Sequence, residues 1–437
     1  MEKSLQEQFE CLLKIKTDNL DVFADATIKL LELTTVKDSF LLSKIGPEMR
    51  NVDKQRKNLV CSEKYFDYIN KLGIENFIQN KFVMSPFTWC AYNIKIQGYQ
   101  YIEDTYDEFI KWAEIIVNNC IQLPLAQTNK TPYVITILKV IKTFRKKLSV
   151  SHFQLLSWVE KLNPDELSEE CYQFTDEKGK ERELASPKEI YYQTKSKCLE
   201  RLKRYEDAAN CCEIALKTLT NWHYRNDLWL SARKWYCKCK ATQDDESLTQ
   251  YIAIAEKQKF WYMYHKIGNL FLSNGDIEKA KYYLCKAISA DSIDPEKMIN
   301  LFYDLGMIWE INNRKDFSKT FYQAAYYYRE KYRWSIDENL QFAQYEYQFD
   351  IDKCLPLKDL QKIGVEYIVE CDKLIEGKIT AYNHNDRFGF ITSGNQSIRF
   401  IFKVTQRRLR INDKVYFKCM KLNNGKIVAE NIYKIGD

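Results

Sequence analysis

Glycine and proline are scarce in this chain of 437 residues, at thirteen and eight respectively. So few breakers over so long a stretch make helix the expected dominant element. No run approaches the roughly 18 apolar residues of a membrane-crossing helix, so none is expected. The opening stretch, MEKSLQEQFECLLKIK, mixes acidic and basic side chains into its first apolar segment, unlike a secretory signal. Histidine is rarer still. His152, His223, His265 and His384 lie far apart, and both His152 and His265 read as structural. There is no HExxH, no GxxxxGK[ST], no GxSxG elbow and no GxGxxG after a strand, so the chain carries none of these signatures of catalysis or nucleotide binding. Cysteine is plentiful, at fourteen, yet no CxxC occurs and most fall inside helical patterns. That usage reads as buried thiols in a reducing cytoplasm. Cys237 and Cys239 sit two apart and point to different faces of a helix, so with His223 or His265 they make a poor zinc set. The expectation is a non-enzymatic cytoplasmic protein with no cofactor, no metal and no membrane segment.

The length suffices for two or three domains, each with its own core. Charge is unevenly spread. Residues 377–437 hold twelve Lys and Arg against four Asp and Glu, a net +8, so the preceding 376 residues sum to −2 against the chain's +6. A polyanion partner is therefore expected for the tail and none for the body.

Repetition is visible in the middle of the chain. In YHKIGNLFLSNGDIEKAKYYLCKAI (264–288), Tyr264, Ile267, Gly268 and Phe271 share one helical face. Gly275 makes a turn, and Ala280, Leu284 and Ala287 line a second helix. Small residues at Gly268 and Ala280 permit close approach of the two. FYDLGMIWEINNRKDFSKTFYQAAYYY (302–328) repeats the pattern, with Gly306 in register and Ser318 at the small position. YYQTKSKCLERLKRYEDAANCCEIAL is an earlier copy with Ser196 in place of the glycine, and LWLSARKWYCKCK with SLTQYIAIAEKQ forms a degenerate pair. This spacing resembles the tetratricopeptide repeat. The late alanines at 215, 255, 287 and 325 stand 40, 32 and 38 residues apart, scattered around that family's period of about 34.

Residues 1–184 also read as helical, from DVFADATIKLLEL, EFIKWAEIIVNNCI and PYVITILKVIKTF. In NPDEL, Asn163 is a candidate cap and Pro164 opens the first turn. The charged stretch 175–187, TDEKGKERELASP, reads as a loop. Three segments, SPFTWCAYNIKI, HFQLLSWVEKLNPDELSEE and ELASPKEIYYQTKSKCLE, look like helical proteins of bacterial conflict and phage-defence loci. The likeness implies helical repeats joined to a carboxyl-terminal cold-shock or S1-like barrel, in an accessory or sensing role in antiphage defence.

After DLQKIGVEYIVECDKLIE, a last helix or linker, the pattern changes to β-branched and aromatic residues alternating with polar ones. Five strands fit at 377–383, 387–392, 397–403, 413–420 and 426–433, which predicts a small antiparallel barrel of the oligonucleotide-binding type. The expected organisation is thus mainly α: a helical domain (1–184), a tetratricopeptide-like solenoid (185–350), a helical linker (351–374) and a five-stranded barrel (375–437).

GKITAYNHNDRFGFI, RFIF, INDKVYF and GKIVAENI together resemble the cold-shock domain over nearly all of 377–433. In that family, aromatics of two surface motifs stack unpaired bases. The resemblance implies roles for Arg387, Phe388 and Phe390, with Gly389 letting the strand pass close to a nucleotide, and for Phe400 and Phe402. Tyr382 aligns with a further family aromatic and Lys378 lies nearby. The alternation itself puts Phe388 and Phe390 on one face, with Gly389 and Ile391 on the other. Phe400 and Phe402 are expected to share a face, with Ile401 inward. Arg399, Lys403, Arg407, Arg408 and Arg410 are available to meet phosphates. Three departures reduce the expected affinity: Ala381 replaces the family's surface tryptophan, Asp386 stands where a base is usual, and Phe402 replaces a histidine. The expected function is an adaptor that holds single-stranded RNA or DNA on the barrel and a protein partner on the repeats. The alternative is a protein-interaction scaffold with a vestigial barrel.

Overall fold

The computed structural model describes residues 3–146, 151–290, 294–383, 388–401, 409–422 and 424–434. It is mainly helical, with a closed five-stranded barrel at the carboxyl end. The chain divides into two compact units, Met1–Ala241 and Thr242–Asp437.

In the first unit one apolar core runs from Phe9 to Cys237, through fully buried Phe23, Tyr65, Phe87 and Ile137. Its helices start where short polar side chains satisfy the orphan amides of the first turn. Ser4 and Glu7 form a reciprocal capping box on Leu5–Ile15. Asn19, Asn80, Ser151 and Ser186 cap Leu20–Leu33, Lys81–Ala91, His152–Val159 and Pro187–Arg201. Asp53, itself buried, accepts from the amides of Cys61 (2.9 Å) and Ser62 (2.6 Å) at the start of Val60–Leu72. Asn163 caps as expected, but over the single 3₁₀ turn Pro164–Glu166.

The stretch expected as a loop is instead most of a hairpin, β1 (Tyr172–Thr175) with β2 (Glu181–Leu184). Its turn is fixed by Asp176, whose carboxylate accepts from the amides of Lys178 and Lys180 and from Arg182 Nε. Gly179 supplies the positive φ of +72°. The charged sequence hides the strands because neither face of this hairpin is buried.

The second unit contains packed helix hairpins, Trp261–Ser273 with Ile277–Ile288 and Ile299–Ile311 with Lys315–Lys331. The small residues act as the spacing required. A Cβ on Gly268 would stand 2.7 Å from Leu284 Cδ2, and one on Gly306 would stand 2.5 Å from the Tyr322 ring. Ser318 Oγ donates to the Gly306 carbonyl at 2.9 Å, so the hydroxyl is satisfied where it is buried. Helix Leu357–Asp372 packs on Ile277–Ile288, and Tyr282 donates to the Asp372 carboxylate at 3.0 Å.

The barrel comprises β3 (Ile375–Asn383), β4 (Phe388–Ser393), β5 (Gln396–Ile401), β6 (Lys414–Lys421) and β7 (Ile427–Lys434), in the order β3-β4-β5-β7-β6. It is not wholly antiparallel. β5 and β7 run parallel, pairing Arg399 with Val428 and Phe400 with Ala429, and that pairing closes the barrel. Ile379, Ile391, Ile398, Phe400, Val415, Phe417 and Ala429 are among the residues that fill its interior. Lys259 Nζ donates to Asn431 Oδ1 of β7 at 3.2 Å, tying the barrel to the helices of its own unit.

Candidate nucleic-acid interface

The two faces of β4 and β5 follow from their register. Phe388 lies opposite Ile401, Gly389 opposite Phe400, Phe390 opposite Arg399 and Ile391 opposite Ile398. Residues paired across strands share a face, so Phe388, Phe390, Arg399 and Ile401 project outward while Gly389, Ile391, Ile398 and Phe400 project into the barrel. Burial agrees: Phe388 and Phe390 are half-buried, Arg399 and Ile401 are exposed, and Phe400 is sealed.

Two expectations are thereby corrected. Phe400 is 0% exposed and belongs to the core, whereas Ile401, expected inward, is 67% exposed. Arg399 and Phe400 are neighbours in one strand and cannot occupy the same face. Gly389 also has a different purpose from the one expected. A Cβ there would stand 2.4 Å from Phe400 Cζ and 2.6 Å from the Ala381 carbonyl, so the missing side chain makes room for the Phe400 ring inside the barrel.

Tyr382 follows Phe400 rather than Phe388. The register of β3 against β4 slips between Ile379 and Ala381, a bulge that reverses the alternation beyond it. Ala381 thus lies opposite Phe390, and Tyr382 lies opposite Gly389 with its ring 6.3 Å from that of Phe400. Lys378, before the bulge, is exposed and pairs with Thr392. Arg387, Phe402, Lys403, Arg407 and Arg408 lie outside the described residues, as does Asp386.

What remains together is compact. The Phe388 and Phe390 rings meet edge to face, centroids 5.9 Å apart with 89° between planes. The Arg399 guanidinium lies over the Phe388 ring, 4.7 Å from its centroid. A cation over a ring face is attracted by the ring quadrupole, and the planar guanidinium is itself a surface on which a base can stack. Neither β4 nor β5 contains a carboxylate. The geometry therefore offers two phenyl rings set at right angles and bordered by positive charge, a surface that can meet a planar ring and an anion side by side. Ile401 was missed by reading chemistry before register; its parity with Arg399 was the available signal.

No metal-binding group of three or more His, Cys, Asp or Glu occurs among the described residues. His223 Nε2 lies 2.8 Å from the Glu183 carbonyl, and His265 Nε2 lies 2.6 Å from Asp304 Oδ2. None of the described helices is long and apolar enough to cross a membrane. The chain matches no protein-family model and no curated protein sequence.

Proposed function

We propose that this protein is a non-enzymatic adaptor that holds single-stranded RNA or DNA on the outer face of its barrel and a protein partner on its helix hairpins. The observation that carries the reading is the outward pair Phe388 and Phe390 with Arg399 laid over one ring. Two half-buried phenyl rings on a basic barrel suit unpaired bases, since stacking on an aromatic is worth roughly 1–3 kcal/mol per base and tolerates any sequence. The resemblance of 377–433 to the cold-shock domain supports the same ligand, and the tetratricopeptide-like spacing supports a protein partner. Phe342 (66% exposed) and Tyr345 (84% exposed) on helix Glu338–Tyr347 suit such a partner as well. With the likeness to phage-defence proteins, the reading extends to a cytoplasmic nucleic-acid sensor in a bacterial host.

The test is fluorescence polarisation of the full chain with labelled oligo-U and oligo-dT. Phe388→Ala with Phe390→Ala removes two rings and should cost about 2 kcal/mol or more, at least a thirtyfold loss. Unchanged affinity would remove the reading. The burial of Phe400 favours a second reading, the interaction scaffold with a vestigial barrel, because it leaves fewer platforms than the four phenylalanines suggest. Absence of binding by the wild-type chain at low salt would select it.

A further inference from the structure

Charge summed over the body hides a local imbalance in the first unit. On and around helix Pro187–Arg201 most cations are matched. Lys188 pairs with Glu169 (2.9 Å), Lys195 with Glu160 (3.4 Å), and Arg233 with Glu200 (2.8 Å). A second set is held by neutral oxygens instead. Lys139 Nζ donates to the Gln97 carbonyl at 2.8 Å, Arg145 Nη2 to Thr194 Oγ1 at 2.7 Å, and Lys146 Nζ to Gln100 Oε1 at 3.5 Å. Among the described residues no carboxylate forms an ion pair with these three, nor with Lys142, Lys197 or Arg201.

The Arg145–Thr194 bond joins two elements, the end of helix Tyr133–Phe144 and the middle of Pro187–Arg201. Lys197 and Arg201 continue along the second helix at i+3 and i+7 from Thr194, on its side of the cylinder. Lys142, Arg145, Lys146, Lys197 and Arg201 are all exposed. The groups feel one another. Although its side chain reaches water, partial desolvation lowers the pKa of the Lys197 ammonium, and the guanidiniums of Arg233, Arg145 and Arg201 lower it further. Burial likewise lowers Lys139, with Lys142 and Lys146 adding to the effect. Like charges gathered without counter-charges oppose folding and are relieved when an anion arrives.

We propose that this band is a second binding surface, specific for the phosphodiester backbone of nucleic acid and separate from the aromatic face of the barrel. The shape of the band selects a chain of phosphates over a single one. Lys139 and Lys142 lie on helix Tyr133–Phe144 and Lys146 lies two residues past its end, so the cations are strung along the chain over about 10 Å, close to three nucleotide steps at about 3.4 Å per step in one strand. Arg145, oriented by the Thr194 hydroxyl, keeps its remaining N–H groups for phosphate oxygens.

The experiment uses the full chain with Phe388→Ala and Phe390→Ala already present, so that stacking on the barrel is removed first and its remaining charges are common to every variant compared. Into it go Lys142→Gln, Lys146→Gln, Lys197→Gln and Arg201→Gln, all at exposed positions, with the matching Lys→Arg and Arg→Lys set as a fold and charge control. Binding of labelled oligo-dT is followed against salt. Each lost phosphate contact flattens the logarithmic slope by about 0.7, so the glutamine set should flatten it by about 2–3 while the charge-conserving set leaves it intact. Equal slopes for parent and glutamine set would overturn the proposal. So would binding of inorganic phosphate, or of phosphatidylserine vesicles, that the glutamine set abolishes while oligo-dT binding persists. Failure of the barrel reading shows separately, as equal affinity of wild type and the phenylalanine variant.

Discussion

Phe400→Ala and Phe388→Ala differ by one face of a sheet and should behave in opposite ways. The Phe400 ring is fully enclosed, packed over Gly389 and beside Tyr382. Its removal loses the transfer free energy of a phenyl group and leaves a cavity, together about 3–5 kcal/mol. Phe388 is half-buried, and its alanine variant forfeits a cation–π contact with Arg399 worth about 0.5–1 kcal/mol at such a site plus part of a ring's burial. Tryptophan fluorescence cannot follow the difference, because all nine tryptophans precede residue 335 and the barrel has none. Native-state amide exchange over β4 and β5 can. At roughly 1.4 kcal/mol per decade, Phe400→Ala should speed exchange there by about 10² to several times 10³ and Phe388→Ala by about tenfold or less. Phe400→Leu, which keeps much of the volume, provides a milder test at about 1 kcal/mol. If Phe400→Ala exchanges like the wild type yet loses oligonucleotide binding, the ring sits on the outer face and the register argument is wrong.

Two further outcomes are expected. Gly306→Ala drives a methyl group against the Tyr322 ring, whose hydroxyl is held by Glu310 at 2.9 Å, so overpacking should cost about 1–3 kcal/mol in thermal or urea unfolding followed by far-ultraviolet circular dichroism. Asp244 caps helix Asp245–Gln258, and its bonds from Thr242 and from the Ser247 amide and hydroxyl lower its pKa to about 2. A depressed carboxylate contributes stability that is complete above its unfolded value near 4 and is lost as pH falls through about 2. The Tm of the wild type should therefore fall across that window relative to Asp244→Asn, which keeps an acceptor for the cap but does not titrate; parallel profiles would exclude the cap as the source.

The strands of the barrel were legible to within two residues, because alternation and turn chemistry are local properties. The barrel's faces were not. Parity inside β5 was set by Arg399, yet the outward assignment of Phe400 followed the chemistry of phenylalanine. In β3 a single bulged residue reverses the alternation, and no composition signal marks it. The helix hairpins were legible at Gly268, Gly306 and Ser318, where close approach demands small residues. The hairpin at Tyr172–Leu184 was not, since a sheet with both faces in water has no hydrophobic period to read. The basic band escaped for a different reason: net charge averages over matched and unmatched cations alike, and only the partners of Arg145 and Lys146 distinguish them.

The parallel seam of the barrel has a consequence for biosynthesis. β7 bonds to β5 on one side and β6 on the other, so a nascent chain halted before Ile427 holds a four-stranded sheet with two unpaired margins. Bare margins invite strands from other molecules, while helices emerging earlier can already have packed. During translation, the interval between Ile401 leaving the ribosome and Lys434 following it is when this protein is most exposed to misassembly.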